Sequence, residues 1–233
     1  MTENIVIQVG QCGNQIGWRF WDLALKEQMA VNPEKLYTDA VASFFHNTTS
    51  GEGARSSSSS AKPYQRLSNL KYDKIESLKA RAVLVDMEEG VVSEVLNGPL
   101  GKYFDGTQLI TDVSGSGNNW AVGHHFYGTK YKEHLVEVVR EATERCDALS
   151  SFFVMHSMGG GTGSGVGSRI LRLLADEFPD VHRFVTCVYP STDGDDVITS
   201  PYNSVLAMNC LTEFADCVLP VENQALMDIC DQV

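Results

Sequence analysis

The sequence predicts an α/β fold, a doubly wound and mostly parallel sheet with helices on both faces. Short apolar runs alternate with segments of helical periodicity along most of the chain, the pattern of a parallel sheet with crossover helices. The runs end repeatedly in small or amide-bearing residues, as strands do where a ligand approaches their carboxyl ends. A length of 233 residues with 43% hydrophobic content is enough for one sizeable core.

The elements follow in order. Ile5 to Val9 is an apolar run ending at Gly10, after which Ile16, Phe20 and Leu23 recur at helical spacing. Further strands are expected at Ala82 to Val85 ending at Asp86, at Gln108 to Thr111, and at Phe152 to Met155 ending before Gly159. Two more follow, Phe184 to Tyr189 ending at Pro190 and Cys217 to Leu219 ending at Pro220. Tyr131, Leu135, Val138, Val139, Ala142 and Cys146 mark one helical face, and Ile170, Leu171, Leu174 and Phe178 another. From about Met29 to Lys79 the periodicity is weak, and the serine run Ser56 to Ser60 reads as a surface excursion, so residues 29–79 are expected to contain a long loop. Gln224 to Val233 reads as the start of a helix without a stop signal, which suggests a truncated product.

A formal charge of −12 without a dense Lys/Arg cluster disfavours nucleic-acid partners. No run approaches the roughly 18 apolar residues of a membrane span, and the first residues lack a signal-peptide pattern, so the chain reads as cytosolic. Six cysteines lack CxxC spacing and are expected to be reduced, mostly buried thiols.

Three loops carry the chemistry: Gly10-Gln11-Cys12-Gly13-Asn14-Gln15 after the first strand, Ser114-Gly115-Ser116-Gly117-Asn118-Asn119 after the third, and Ser157-Met158-Gly159-Gly160-Gly161-Thr162-Gly163-Ser164-Gly165 after the fourth. The last has five glycines within seven residues at a strand-to-helix junction, which lets backbone N–H groups converge on an anion. One such loop alone is as often a tight turn; their co-location at one sheet edge favours a polyphosphate. No loop contains Lys or Arg and GxxxxGK[ST] is absent, so neutralisation falls to backbone dipoles and a divalent cation, for which Asp86 and Glu88 offer carboxylates. The GxGxxG fingerprint, the nucleophile elbow and HExxH do not occur. His156 is expected as a packed strand-end residue and His124-His125 as a helix-start feature.

Gly10-Gln11-Cys12-Gly13-Asn14-Gln15-Ile16-Gly17, Ser116-Gly117-Asn118-Asn119-Trp120-Ala121 and Gly159-Gly160-Gly161-Thr162-Gly163-Ser164-Gly165 resemble the first, third and fourth nucleotide loops of the tubulin family, the last being the tubulin/FtsZ signature. The stretches 20–25, 79–90, 108–112 and 195–203 are similar to its epsilon class. The resemblance implies a Rossmann-like GTPase-domain fold over residues 1–233, with the second domain absent and the chain ending within the core helix. It implies GTP or GDP with Mg²⁺ as ligands. Gly10, Gln11, Cys12, Gln15, Ser116, Gly117, Asn118, Ser157, Gly160, Gly161, Thr162 and Gly163 would form the phosphate cradle, and Glu88 would sit by the metal. Asp196 would lie near the ribose and Asn223 at the guanine edge. Ser200 departs from the pattern, because beta-tubulins carry a glutamate there for the sugar hydroxyls.

As partners the resemblance implies other tubulin subunits or microtubule and centriolar proteins, with no nucleic acid and no membrane. The implied location is the cytoplasm, the cytoskeleton and the centrosome or centriole, and the role that of a structural subunit for which GTP is an assembly ligand. No catalytic residue is assigned, because the loop that activates water in tubulins lies beyond the end of this chain. The alternatives are a self-contained GTPase, another tubulin class such as delta or gamma, or a nicotinamide-dependent oxidoreductase, which fits the fold but lacks its fingerprint.

Overall fold

The computed structural model describes residues 2–48, 73–190 and 197–231. Its centre is a six-stranded sheet built from β1 (Glu3–Val9), β4 (Ala82–Asp86), β5 (Leu109–Thr111), β6 (Leu149–Ser157), β7 (His182–Tyr189) and β8 (Cys217–Glu222). The spatial order is β5-β4-β1-β6-β7-β8, and every neighbouring pair is parallel. The chain winds outward from β1 to one edge and then returns to β6 to wind to the other. That reversal leaves a crevice beyond the carboxyl ends of β1 and β6, where doubly wound sheets bind ligands.

Both faces of the sheet are buried, and the two-residue period of a strand sorts the side chains between them. Ile5, Ile7, Val9, Val83 and Val85 pack with Leu135, Val138, Val139, Ile170, Leu171 and Leu174, which come from α5 (Lys132–Glu144) and α6 (Gly167–Glu177). Val6, Ala82 and Leu84 pack on the other side with Trp21 and Leu25 of α1 (Gly10–Val31). The helical faces expected for α5 and α6 are therefore the observed ones.

The face expected for α1 is met only in part, because Ile16 and Phe20 pack against this core from its margin. Leu23 is 67% exposed, and the centre of the buried face is the row Gly13, Gly17, Trp21 and Leu25, one turn apart. An apolar periodicity misses this row because its first two contacts are glycines. A Cβ on Gly13 would lie 2.2 Å from the Met155 carbonyl oxygen, and one on Gly17 would lie 2.1 Å from the buried Gln8 amide. The helix leaves the end of β1 without a loop, so its first turns must lie flush on the sheet.

Residues 29–79 begin and end in regular structure. α1 continues to Val31, α2 spans Asp39–Ala42, and β2 (Phe45–Asn47) pairs antiparallel with β3 (Leu78–Ala80). Phe44 and Phe45 pack at 5.3 Å against Phe20 and Trp21, which holds this hairpin on α1. The serine run Ser56 to Ser60 lies outside the described residues.

β8 runs through Pro220 to Glu222, beyond the expected end, because an edge strand has an unpaired side on which a missing N–H costs nothing. α3 (Glu89–Asn97) follows β4, and α4 (Gly128–Lys130) continues a π-helical turn at Val122–Tyr127 that contains His124 and His125. α7 (Ser200–Phe214) packs on α6, and α8 begins at Asn223. His156 is fully buried at the end of β6, as expected. The six thiols are unpaired, but only Cys187 and Cys210 are buried, fewer than expected. No helix among the described residues is long and apolar enough to cross a membrane.

Gly13→Ala is expected to destabilise the protein by roughly 1–3 kcal/mol through overpacking against Met155. For a chain of this size that lowers the melting temperature by about 2–4 °C per kcal/mol; an unchanged melting curve would mean that α1 does not rest on β6 in this way. Acid is a second probe. Burial holds the His46 and His124 imidazoles down at about 4, with Arg81 adding at His46 and His125 at His124. Both values lie below the unfolded one, so this stability is present above about pH 6.5 and is lost as pH falls towards 4. The double variant His46→Gln/His124→Gln is expected to show a flatter dependence of the denaturation midpoint on pH between 7 and 4.5 than its parent.

Candidate functional site

The crevice is formed where four strands end. β1 runs into α1 through Val9, still extended at φ −123°, and Gly10 in the left-handed region at φ 74°. A side chain at Gly10 would be strained, and its Cβ would lie only 3.0 Å from the Gly163 nitrogen. The start of α1 thus touches the π-helical turn Thr162–Val166 that opens α6. Neither of these helix starts has a side-chain cap, and neither has an acidic residue in its first turn. Helix N-termini hold N–H groups without intrahelical partners and a partial positive charge, both usually met by Ser, Thr, Asp or Glu. Two helix starts meeting without such partners form an anion site.

The predicted residues gather around it. Gly10, Gln11, Cys12, Gln15, Glu88, Ser116, Gly117, Asn118, Ser157, Gly160, Gly161, Thr162 and Gly163 line one cleft, joined by Asp86 and Val91. Asn223 lines an adjoining hollow with Val188, Tyr189, Pro190, Val197 and Ser200. Cys12, Asn118, Ser157 and Gly160 border both spaces, so cleft and hollow are one trough. Asp196 lies outside the described residues.

Local hydrogen bonds hold the walls. Asn14 donates through Nδ2 to the Gly10 carbonyl at 3.0 Å and the Val85 carbonyl at 3.3 Å, tying the start of α1 to β4. Ser116 Oγ and Thr162 Oγ1 lie 3.0 Å apart and join the loop after β5 to the loop after β6. Gly115 N–H donates to the Met87 carbonyl at 2.8 Å, which brings that same loop against Glu88. Asn119 accepts from the N–H groups of Ala121 and Val122 at 2.9 and 3.4 Å and so caps the following helical turn, a local role.

The charge pattern of the cleft is one-sided. Among the described residues its lining contains two carboxylates, Asp86 and Glu88, and neither Lys nor Arg. Burial pushes the Asp86 carboxyl up to about 6, with the nearby Glu88 charge adding, and the buried Asp86 Oδ2 has no hydrogen-bond partner. A lone buried oxygen facing an acidic neighbour suits a cation bridging to an anionic ligand. Burial also raises the Cys12 thiol, so it is neutral at pH 7 and acts as a wall rather than a nucleophile.

Sequence reasoning did not single out Thr199 and Asn203, whose side chains reach the backbone of these loops from α7. The available signal was a buried Asn in the first turn of a helix, a poor helix former that stays there when its amide is used elsewhere.

Comparison with known proteins agrees with this geometry. Residues 3–231 match the family described as Tubulin/FtsZ family, GTPase domain. The chain is 57% identical to the tubulin epsilon chain of Mus musculus and 56% identical to that of Homo sapiens, in each case over 100% of this chain and 46% of the relative. Identity to the tubulin beta-8 chain of Oryza sativa subsp. japonica is 36%, over 99% of this chain and 47% of the relative. The chain spans about half the length of the curated relatives it matches. With a family match across nearly its whole length, and higher identity to these epsilon chains than to this beta chain, the chain belongs to the Tubulin/FtsZ family.

Proposed function

We propose that the trough holds GTP or GDP with Mg²⁺ and that the chain is the nucleotide-binding part of a cytoskeletal subunit of epsilon-tubulin type. The observation that carries this reading is the meeting of two uncapped, acid-free helix starts over a cleft of glycine amides and hydroxyls. Gln11 and Cys12 approach the phosphates from α1, while Ser157, Gly161, Thr162 and Gly163 surround them from the loop after β6. Asn223, at the far end of the trough, meets the guanine edge, and Asp196 serves the ribose. The match to proteins named tubulin epsilon chain supports the tubulin-type reading, in which the partners are other tubulin subunits or centriolar proteins and GTP is an assembly ligand.

Asp86 and Glu88 fit a hard divalent ion, which takes few protein carboxylates and completes its shell with water and phosphate oxygens. When bound, the metal would offset the negative charge that the phosphates bring to a cleft with no cationic side chain among its described lining residues. The protein's own groups orient the nucleotide, and the helix dipoles share its charge.

Nucleotide extracted from the purified complete protein is expected to be GTP or GDP; recovery of ATP or NAD would overturn the ligand assignment. Thr162→Lys, which crowds the phosphate end, is expected to lower GTP retention about tenfold or more, as measured by filter binding. Asp86→Asn tests the carboxylate directly. The Asp86 value is raised above the unfolded one, so its ionisation costs stability as pH rises through about 6. Without nucleotide the variant is expected to be more stable than the parent at pH 7 by about 1–3 kcal/mol, a gap that closes as pH falls from 6 to 4. With GTP present it is expected to lose the Mg²⁺ dependence of retention. A variant destabilised at pH 7, with its Mg²⁺ response intact, would remove Asp86 from the site.

A further inference from the structure

We infer that Asn203 is a positioning residue for nucleotide binding: its amide sets the backbone orientation of the two loops that face the phosphates. The inference rests on the nucleotide reading above and goes beyond it, because Asn203 lines neither the cleft nor the hollow.

Asn203 lies in the first turn of α7 and is 3% exposed. Its Oδ1 accepts from Trp120 N–H at 2.9 Å. Its Nδ2 donates to the Asn118 carbonyl at 2.9 Å and to the Gly159 carbonyl at 2.7 Å. An asparagine side chain offers one acceptor oxygen and two donor hydrogens in a plane, and all are used here. The partners fix its orientation, since Trp120 N–H can only donate and the two carbonyls can only accept. All three bonds leave α7 for other segments, so the side chain does not cap its own helix.

These bonds act on the cleft through peptide geometry. In a trans peptide the C=O and the following N–H point in opposite directions. Holding the Gly159 carbonyl towards α7 therefore turns the Gly160 N–H away from α7, and Gly160 lines the cleft. Asn118, which borders both parts of the trough, has φ 51°, a left-handed backbone for a residue other than glycine. Such a conformation persists only when its surroundings over-determine it. The Asn118 carbonyl is held twice, by Asn203 and by Thr199 Oγ1 at 2.8 Å.

Asn203→Ser removes at least one of the two donors without adding charge. Asn203→Asp keeps the size and the Oδ1 acceptor but sets a carboxylate oxygen against two carbonyls. Ser204→Ala is the control: Ser204 is the next buried residue of α7, and its hydroxyl donates at 2.8 Å to the Ser200 carbonyl within the helix. The complete protein is used, with GTP affinity read by titration calorimetry, folding by circular dichroism and bound phosphates by ³¹P NMR. Asn203→Ser is expected to weaken GTP binding about tenfold, the scale of leaving a buried polar group unpaired, with a native far-UV spectrum and displaced ³¹P signals. Asn203→Asp is expected to lose more, and Ser204→Ala to bind within twofold of the parent with unmoved ³¹P signals. The inference is overturned if Asn203→Ser binds GTP within twofold of the parent, or if Ser204→Ala loses as much as Asn203→Ser, which would mean that any loosening of α7 has the same effect. If Asn203→Asp does not fold, the Ser pair still decides. Failure of the parent itself to bind GTP would instead remove the nucleotide reading.

Discussion

The structure depends on one constraint: α1 starts at the last residue of β1 and has no loop in which to step away from the sheet. It must pass directly over β1 and β6, and only glycine at positions 13 and 17 lets it come that close. The same closeness carries the free N–H groups of its first turn to the sheet edge, over the ends of β4 and β6. Everything recognised as a site is arranged around that end. The loop after β6 touches Gly10, the loop after β5 is bonded to the loop after β6, and the end of β4 with the turn after it supplies the acidic groups opposite.

The electrostatics follow from the same geometry. Helix starts normally use an acidic or hydroxyl side chain to satisfy their first N–H groups, and the two that meet here have none in place. The cleft therefore offers partial positive charge that carries no proton and does not change with pH. Of its acidic side chains, Asp86 is the one that burial pushes up, to about 6. A cleft that sets backbone dipoles beside the buried Asp86 and the exposed Glu88 suits a polyanion that brings a cation with it.

Much of this was legible in the chain. The strands stood out because both faces of a parallel sheet are buried, so each is a near-continuous apolar run. The three loops stood out because they fall together at one sheet edge, whereas any one of them alone would pass for a tight turn. The packing face of α1 was legible only in part: Ile16 and Phe20 marked its margin, but Gly13 and Gly17 carry no apolar signal, and Leu23 gave a false one. The hairpin of β2 and β3 was hidden in three-residue strands whose pairing joins positions more than 30 residues apart. Asn203 looked like any polar helix residue, because its three partners lie 83, 85 and 44 residues away.

The sequence by itself determined the alternation of strands and helices, the placing of small residues at strand ends and the absence of cationic side chains from the loops, because each depends on residue type and local spacing. Only the tertiary structure decided which helix starts face each other, which carboxylate oxygen is buried without a partner and which amide holds two distant loops. Those properties arise from groups brought together across the sheet, and no local pattern records a distance between segments far apart in the chain.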